Sequence, residues 1–320
     1  MIVSDMQIKT LKETAEVDYF LKFLPQRISR AIAFSEYSLR QKITEIRMRL
    51  DSPLSLTANK HNILINEAGK ICDINNCVFV SKREIDDCIN ILCDGSYHAQ
   101  LNNIKNGFII TKNGYRVGVC GEIIYTDRIN EPGDFILDAI TSVNIRVNRF
   151  VQFPDCPIID LIKQDGMASM LIYSPPSEGK TTLLRFLANS LSKGLYGLDK
   201  YRTALVDERR EVYIQDKMSG GLLDVLYGYK KADGIDCATR TLNPEVIICD
   251  EIGGLEDTTS ILNAQNSGVP FIAATHAGAA EQLMNKPNIK MLIENNIFSY
   301  LIGITLDNGN ILKYNIKKFR

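Results

Sequence analysis

The sequence predicts an α/β chain of two domains, an N-terminal α+β domain at residues 1–152 and a C-terminal α/β domain at residues 153–320. The length of 320 residues corresponds to two domains at roughly 150 residues each. Several segments of the first half alternate apolar and polar residues, as strands buried on one face do. The second half has short, almost entirely apolar strands separated by helical segments, which is typical of a mostly parallel sheet covered on both faces.

The composition is that of an ordinary globular protein. Hydrophobic residues make up 45% and charged residues 23% of the chain, which excludes a disordered or collagen-like protein. The net charge of −1 gives no reason to expect a nucleic-acid partner. We identify neither a signal peptide nor a run of the roughly 18 apolar residues that a membrane-spanning helix requires. The eight cysteines stand singly and are expected to be reduced, which predicts a cytoplasmic protein.

Apolar periodicity predicts the elements of the first half. Helical spacing marks three segments, at residues 10–23, 26–40 and 81–92. The last of these begins with capping-box spacing between Ser81 and Glu84. Strand patterns mark four segments, at residues 43–50, 53–58, 62–66 and 142–150. Asn113-Gly114 separates two further β-rich runs and predicts a hairpin.

The second half alternates strands with helices. The strands are predicted at residues 169–173, 203–208, 245–250 and 270–275. The helices are predicted at residues 180–193, 232–241, 255–267 and 278–285. A hairpin about Asn308-Gly309 is predicted to end the chain.

A phosphate-binding loop is predicted after the first apolar strand of this half. Backbone N–H groups and the dipole at the start of the following helix favour an anion there. Lys180 is predicted to reach the β- and γ-phosphates of ATP, and the Thr181 hydroxyl to ligate Mg²⁺. The predicted nucleotide-binding residues are Ser174, Pro175, Pro176, Ser177, Glu178, Gly179, Lys180, Thr181 and Thr182. The alternative for this loop alone is a chance Gly-Lys-Thr-Thr at an ordinary helix start.

Two serines depart from the usual glycine-rich loop. Ser174 stands where the G-x-x-x-x-G-K-[ST] pattern has glycine, and Ser177 stands where many such loops have another. Glycine adopts positive φ without strain and lets phosphate approach the backbone closely. We therefore expect reduced nucleotide affinity.

An acidic pair ends the strand EVIICDEIG and has the form of a Walker B segment. Ligands of open α/β sheets bind at the carboxyl ends of the strands, where this pair lies. Asp250 is predicted to hold Mg²⁺ through its water shell, and Glu251 to orient or deprotonate the attacking water. The alternative is a solvated acidic pair in a loop.

Two more strand ends are predicted to meet at the same edge. Asp207 and Glu208 end one strand, and their carboxylates could complete the Mg²⁺ water shell. Thr275 and His276 end another, and His276 could hydrogen-bond the γ-phosphate or the attacking water. A single histidine is more often structural, so its place on an adjacent strand end carries this prediction.

The order of these motifs resembles that of a known family. A P-loop, an acidic box (LVDERRE), a Walker B segment (NPEVIICDEIGGLEDTTSILNAQNSG) and a histidine box (AATHAG) follow one another as in the secretion-type ATPases of type IV secretion and pilus movement. GLLDVLYGYKKADGIDCATRTLNPEVIICDEIG, NGFIITKNGYRVGVCGEI and ITEIRMRL resemble, more narrowly, the stage III sporulation protein AA family of endospore-forming bacteria. The resemblance covers about residues 20 to 280.

The resemblance implies a RecA-like P-loop ATPase that forms a homo-oligomer, expected to be a hexamer. Such a protein would lie in the cytoplasm of the mother cell, peripheral to the membrane facing the forespore. It would energise the assembly of, or transport through, a channel built from integral membrane components. The family's nucleotide residues correspond here to Lys180, Thr181, Asp250, Glu251, Glu208 and His276. Gly253 departs from the arginine common in secretion ATPases.

Two other functions remain open from the sequence. A nucleotide-binding scaffold of the same channel, with little or no hydrolysis, is favoured by the two serines and opposed by Lys180, Asp250 and Glu251. A nucleic-acid motor is opposed by the balanced charge. The sequence also does not choose which arginine would complete the site; the candidates are Arg116, Arg146, Arg209 and Arg240.

Overall fold

The computed structural model describes residues 15–112, 114–125, 135–147, 150–265, 267–306 and 312–319. They form two compact units, one ending at residue 149 and the other beginning at residue 150. Within these ranges no helix is both long enough and apolar enough to cross a membrane. The eight cysteines carry free thiols, and four of the eight are buried.

The first unit is an α+β structure on an antiparallel sheet with the strand order β4-β3-β1-β8-β7-β6. Its strands are β1 (Ile43–Arg49), β2 (Ser52–Pro53), β3 (Ser55–Ala58), β4 (His61–Leu64), β5 (Phe79–Val80), β6 (Phe108–Ile110), β7 (Arg116–Tyr125) and β8 (Phe135–Arg146), with β2 and β5 forming a small separate sheet. A 3₁₀ helix at Glu16–Phe23 precedes the α-helices α1 (Gln26–Ala33), α2 (Tyr37–Arg40), α3 (Lys82–Leu92) and α4 (Tyr97–Lys105).

The helix predicted over 26–40 is interrupted between α1 and α2. The Ser35 hydroxyl donates to the carbonyl of Ile32 at 2.7 Å, and such local side-chain bonds compete with the helical ladder. The capping box of α3 is confirmed, since the Ser81 N–H donates to the Glu84 carboxylate at 2.9 Å and the Ser81 hydroxyl accepts from the Glu84 N–H. The hairpin between β6 and β7 is also confirmed; Asn113 itself lies outside the described residues.

The second unit is the predicted α/β structure with a mostly parallel sheet. Its strands are β9 (Met170–Ser174), β10 (Thr203–Asp207), β11 (Leu223–Tyr227), β12 (Val246–Cys249), β13 (Phe271–His276), β14 (Tyr300–Leu306) and β15 (Leu312–Lys318). Its helices are α5 (Pro157–Asp165), α6 (Lys180–Lys193), α7 (Gln215–Met218), α8 (Lys231–Cys237), α9 (Leu255–Gln265), α10 (Ala280–Met284) and α11 (Pro287–Glu294). The strand order is β11-β10-β12-β13-β9-β14-β15, and among these strands all pairs are parallel except the antiparallel pair of β14 with β15.

Helices cover both faces of this sheet. Tyr173, Val206 and Cys249 pack with residues of α8, α9, α10 and α11 in one buried cluster. The neighbouring residues Ile172 and Leu205 are fully buried as well and point to the opposite face, where α6 contacts the sheet. The terminal hairpin β14–β15 is confirmed, and its predicted turn at Asn308-Gly309 lies outside the described residues.

Candidate nucleotide-binding site

The order of the central strands brings the predicted site residues together. β10, β12, β13 and β9 are consecutive neighbours and all parallel, so their carboxyl ends form one edge of the sheet. Glu208 follows β10, Asp250 and Glu251 follow β12, and His276 ends β13. The loop from Pro175 to Gly179 follows β9. This edge is where open α/β sheets bind ligands.

The two serines of the loop have different backbones. Ser174 is the last residue of β9 and pairs with His276 across the sheet. Its backbone is therefore extended, and the expectation that this position needs a glycine conformation is wrong. Ser177 has φ of 64°, in the left-handed region that favours glycine. Of the two serines, therefore, only Ser177 adopts the positive φ that was expected of both.

Helix α6 starts as a phosphate site requires. Gly179, with φ of 94°, is its N-terminal flanking residue, and Lys180, Thr181 and Thr182 form the first turn. N–H groups of a first turn have no acceptor within the helix, so they are available to an anion. Pro176 and Ser177 are exposed at the tip of the loop. The Glu178 carboxylate accepts the N–H of Leu306 at 2.6 Å, which fastens the loop to the end of β14.

The Lys180 ammonium group lies folded into the loop. Its Nζ lies 2.9 Å from the carbonyl oxygens of both Ser174 and Pro175, and 3.0 Å from the Ser174 hydroxyl. It is also 2.8 Å from Nδ1 of His276. Burial lowers the pKa of Lys180, although nearby carboxylates, Glu251 foremost, act in the opposite direction. The loop thus holds its cation at the mouth of the sheet through main-chain acceptors.

His276 connects this lysine to the acidic pair. Its Nε2 lies 3.0 Å from Oε1 of Glu251. An ammonium group only donates, so Nδ1 accepts from Lys180 and the ring proton of the neutral histidine belongs on Nε2, facing Glu251. The predicted residues Lys180, His276 and Glu251 therefore form one hydrogen-bonded row from the first turn of α6 to the ends of β13 and β12.

The first two carboxylates of the acidic box, Asp207 and Glu208, have different surroundings. Asp207 is fully buried, and its carboxylate accepts the N–H groups of Glu211, Val212 and Tyr213 at 2.9, 3.1 and 2.9 Å. Burial raises the pKa of Asp207, and these backbone hydrogen bonds partly offset the rise. Its carboxylate organises the following loop, so the expectation that it helps to complete a Mg²⁺ water shell is not supported.

Glu208 lies beside a lysine that sequence reasoning missed. Oε2 of Glu208 is 3.8 Å from Nζ of Lys231, and the same Nζ donates to the main-chain oxygen of Glu251. A second missed lysine, Lys286, donates to the main-chain oxygen of His276 at 2.5 Å. Neither lysine belongs to a strand-end motif, so no spacing rule points to them.

The predicted metal ligands suit Mg²⁺ that enters together with a nucleotide. Thr181 offers a hydroxyl in the first turn of α6, and Asp250 is a half-buried carboxylate at the end of β12. Mg²⁺ in phosphate sites keeps several waters and takes few protein ligands. Among the residues that the structure describes, no group of three or more His, Cys, Asp and Glu side chains could hold a metal ion.

Three of the candidate arginines have local partners. The Arg116 guanidinium lies 4.0 Å from the centre of the Phe108 ring, and Arg146 lies 3.8 Å from Glu45. Arg240 donates to the main-chain oxygen of Asp236 at 3.3 Å.

Sequence comparison matches most of the chain to one family. The model of the family described as Sporulation stage III, protein AA matches residues 16–313. Stage III sporulation protein AA of Bacillus subtilis (strain 168) is 31% identical over 304 residues, which are 93% of this chain and 92% of that protein. Protein SEEDLING PLASTID DEVELOPMENT 1 of Arabidopsis thaliana is 28% identical over 167 residues, which are 48% of this chain and 22% of that protein.

Solved structures confirm the fold. The Legionella pneumophila ATPase DotB has a TM-score of 0.59 at 16% identity, covering 97% of this chain and 82% of its own. The pilus retraction motor PilT with bound ADP has a TM-score of 0.58 at 14% identity, covering 86% and 79%. The second unit therefore has the RecA-like P-loop fold of secretion ATPases.

Proposed function

Because this chain belongs to the Sporulation stage III, protein AA family, we propose that it is an ATPase that hydrolyses ATP during endospore formation. The observation that carries the proposal is the row formed by Lys180, His276 and Glu251 at the mouth of the parallel sheet. Its links are 2.8 and 3.0 Å, and it starts at the first turn of α6. The cation that binds phosphate (Lys180), the group that senses it (His276) and the general base (Glu251) thus lie within one hydrogen-bonded unit.

Phosphate binding would use the start of α6 and Lys180. The N–H groups of the first turn receive the phosphate oxygens. Lys180 exchanges its main-chain acceptors, the carbonyls of Ser174 and Pro175, for phosphate oxygens, where its charge offsets theirs. Because Lys180 moves, Nδ1 of His276 becomes free to accept a hydrogen bond from the attacking water.

Hydrolysis would then depend on positioning and electrostatics. Glu251 aligns the water for in-line attack and accepts its proton. His276 keeps its Nε2 proton toward Glu251 and so holds that carboxylate at the mouth. Thr181 and Asp250 would hold Mg²⁺, which when bound neutralises charge on the β- and γ-phosphates. Glu208 stands at the neighbouring strand end, where it would support the same acidic edge.

The proposal extends to the assembly in which the protein works. We propose a homo-oligomer, a hexamer, in the cytoplasm at the mother-cell side of the forespore membrane. Its partners would be integral membrane components of a channel between the two cells, whose assembly or transport ATP hydrolysis energises. No nucleic-acid partner is proposed, because the charge of the chain is balanced. The family's place in sporulation and the secretion-ATPase fold support this assignment.

Substitution of the proposed base tests the function. In Glu251→Gln, ATP binding should persist while Mg²⁺-dependent turnover falls by about a hundredfold or more. General-base catalysis typically raises the reaction rate by about 10²–10⁴-fold. Glu256→Gln, an exposed residue in the first turn of α9, is the matched control and should turn over as wild type. Wild-type activity in Glu251→Gln would remove Glu251 from the catalytic role.

A second candidate is a nucleotide-binding scaffold of the same channel with little or no hydrolysis. The observation that favours it is the loop itself, where Ser177 takes φ of 64° and Lys180 has four protein acceptors within 3.0 Å. Both features make phosphate binding costlier. ATP binding by the wild-type protein without measurable turnover would favour this candidate over the ATPase.

A further inference from the structure

The start of helix α8 lies unusually close to the end of β10. Gly234, one turn into α8, faces Val206, and a Cβ built at Gly234 would come within 2.6 Å of Cγ1 of Val206. Only glycine permits this approach. Val206 is two residues before Glu208, so the packing places Lys231, the first residue of α8, at the mouth of the sheet.

Lys231 is a buried cation with two partners from different strand ends. Its side chain is 9% exposed, whereas that of Glu208 is 42% exposed. Nζ donates to the main-chain oxygen of Glu251 and lies 3.8 Å from Oε2 of Glu208. A buried ammonium is tolerated only where it is paired and hydrogen-bonded. Lys231 therefore joins the end of β10 to the segment after β12.

This contact acts on the main chain of Glu251, whereas His276 acts on its side chain. The Glu251 side chain is held by Nε2 of His276 at 3.0 Å, and Lys231 holds the carbonyl of the same residue. Two anchors on one residue limit the rotation of its backbone and hence the direction of its carboxylate. The charge of Lys231 also offsets repulsion between the carboxylates that meet at this edge.

We propose that Lys231 is a positioning residue for Glu251, acting through the main-chain carbonyl of Glu251 and the Glu208 carboxylate. This inference rests on the ATP hydrolysis proposed above and deepens it. Loss of Lys231 would leave the phosphate loop and Lys180 in place, because neither contacts it through the bonds described. The deficit should therefore fall on turnover, and nucleotide binding should remain.

The test compares Lys231→Met with Lys230→Met, which removes the preceding, exposed lysine. Both full-length proteins are assayed for Mg²⁺-dependent ATP turnover and for affinity toward a fluorescent ATP analogue. In Lys231→Met, kcat should fall by about tenfold to a hundredfold, because a small misplacement of a catalytic group lowers the rate by such factors. The affinity for the ATP analogue should stay within about twofold of wild type. Lys231→Arg should recover part of kcat, since it keeps a donor for the carbonyl. Lys230→Met should match wild type.

The outcomes separate this inference from the proposed function. Wild-type turnover with equal turnover in Lys231→Met would overturn the positioning role alone. A joint loss of affinity, turnover and thermal stability in Lys231→Met that Lys231→Arg does not relieve would assign Lys231 to folding and also overturn it. Absence of turnover in the wild-type protein would overturn the proposed hydrolysis, and the role of Lys231 with it.

Discussion

At the scale of single residues, the two loop serines differ in what their backbones require. Ser177 occupies the left-handed region, which costs a residue other than glycine about 1 kcal/mol or more. Ser174 lies in extended backbone, and its hydroxyl is 3.0 Å from Nζ of Lys180. Ser177 is therefore strained, whereas Ser174 supplies a hydrogen-bond acceptor to Lys180, although the glycine-rich pattern has glycine at both positions.

Glycine at each position should have opposite effects. Ser177→Gly should increase the free energy of unfolding by up to about 1 kcal/mol, because relief of the left-handed strain exceeds the gain in unfolded-state entropy. Ser174→Gly should decrease the free energy of unfolding by about 1 kcal/mol. Glycine within a strand is entropically unfavourable, and the hydrogen bond from Lys180 to the Ser174 hydroxyl is lost. Urea unfolding followed by circular dichroism measures both. Equal signs for the two variants would contradict the assignment.

At the scale of elements, a charged network fastens α3 to α1 in the first unit. The Arg27 guanidinium donates to both carboxylate oxygens of Glu84 at 2.9 Å, while Glu84 also caps α3 through Ser81. Burial alone would raise the pKa of Glu84, but the hydrogen bonds from Arg27 and Ser81 outweigh it and lower the pKa. The ionised carboxylate is thus stabilised by folding.

The pH dependence of stability tests this network. Glu84→Gln should lower the free energy of unfolding by about 1.5–3 kcal/mol near neutral pH, the range for hydrogen bonds to charged groups. The ionised Glu84 stabilises fully above the unfolded-state pKa of about 4.3 and progressively less as pH falls from there through its lower folded-state pKa. The difference from wild type should therefore shrink in acid.

Glu67→Gln is the matched control for Glu84→Gln. Glu67 also binds Arg27, at 3.0 Å, but its side chain is 70% exposed whereas that of Glu84 is 11% exposed. An exposed pair is worth about 0–1 kcal/mol. A loss in Glu67→Gln as large as that in Glu84→Gln, or a Glu84→Gln effect independent of pH, would contradict the role of the Arg27–Glu84 pair.

Elements with strong local signals could be predicted from the sequence, and those set by tertiary packing could not. The helix at 180–193 matches α6, because a loop, an N-terminal glycine and continuous helical spacing mark it. Strand β11 was missed because it is an edge strand whose second residue, Asp224, is exposed. Lys231 was missed for a related reason, since only the approach of Gly234 to Val206 brings it to the site.

At the scale of the whole molecule, the proposed work of the protein requires several copies. Secretion-type ATPases are expected to act as rings, and the proposal assigns a hexamer to this chain. ATP should therefore raise the particle mass from that of a 35.9 kDa chain or small oligomer toward six times that mass. Light scattering with and without ATP and Mg²⁺ measures it. A chain that stays monomeric with saturating ATP would contradict the ring.

Mg²⁺-dependent ATP hydrolysis of wild type beside Lys180→Ala shows whether the chain is an ATPase that works through the row of Lys180, His276 and Glu251. Lys290→Ala, an exposed lysine on α11, serves as the control. The expected result is turnover in wild type and Lys290→Ala and its loss in Lys180→Ala. Equal hydrolysis in wild type and Lys180→Ala, or none in wild type, would contradict it.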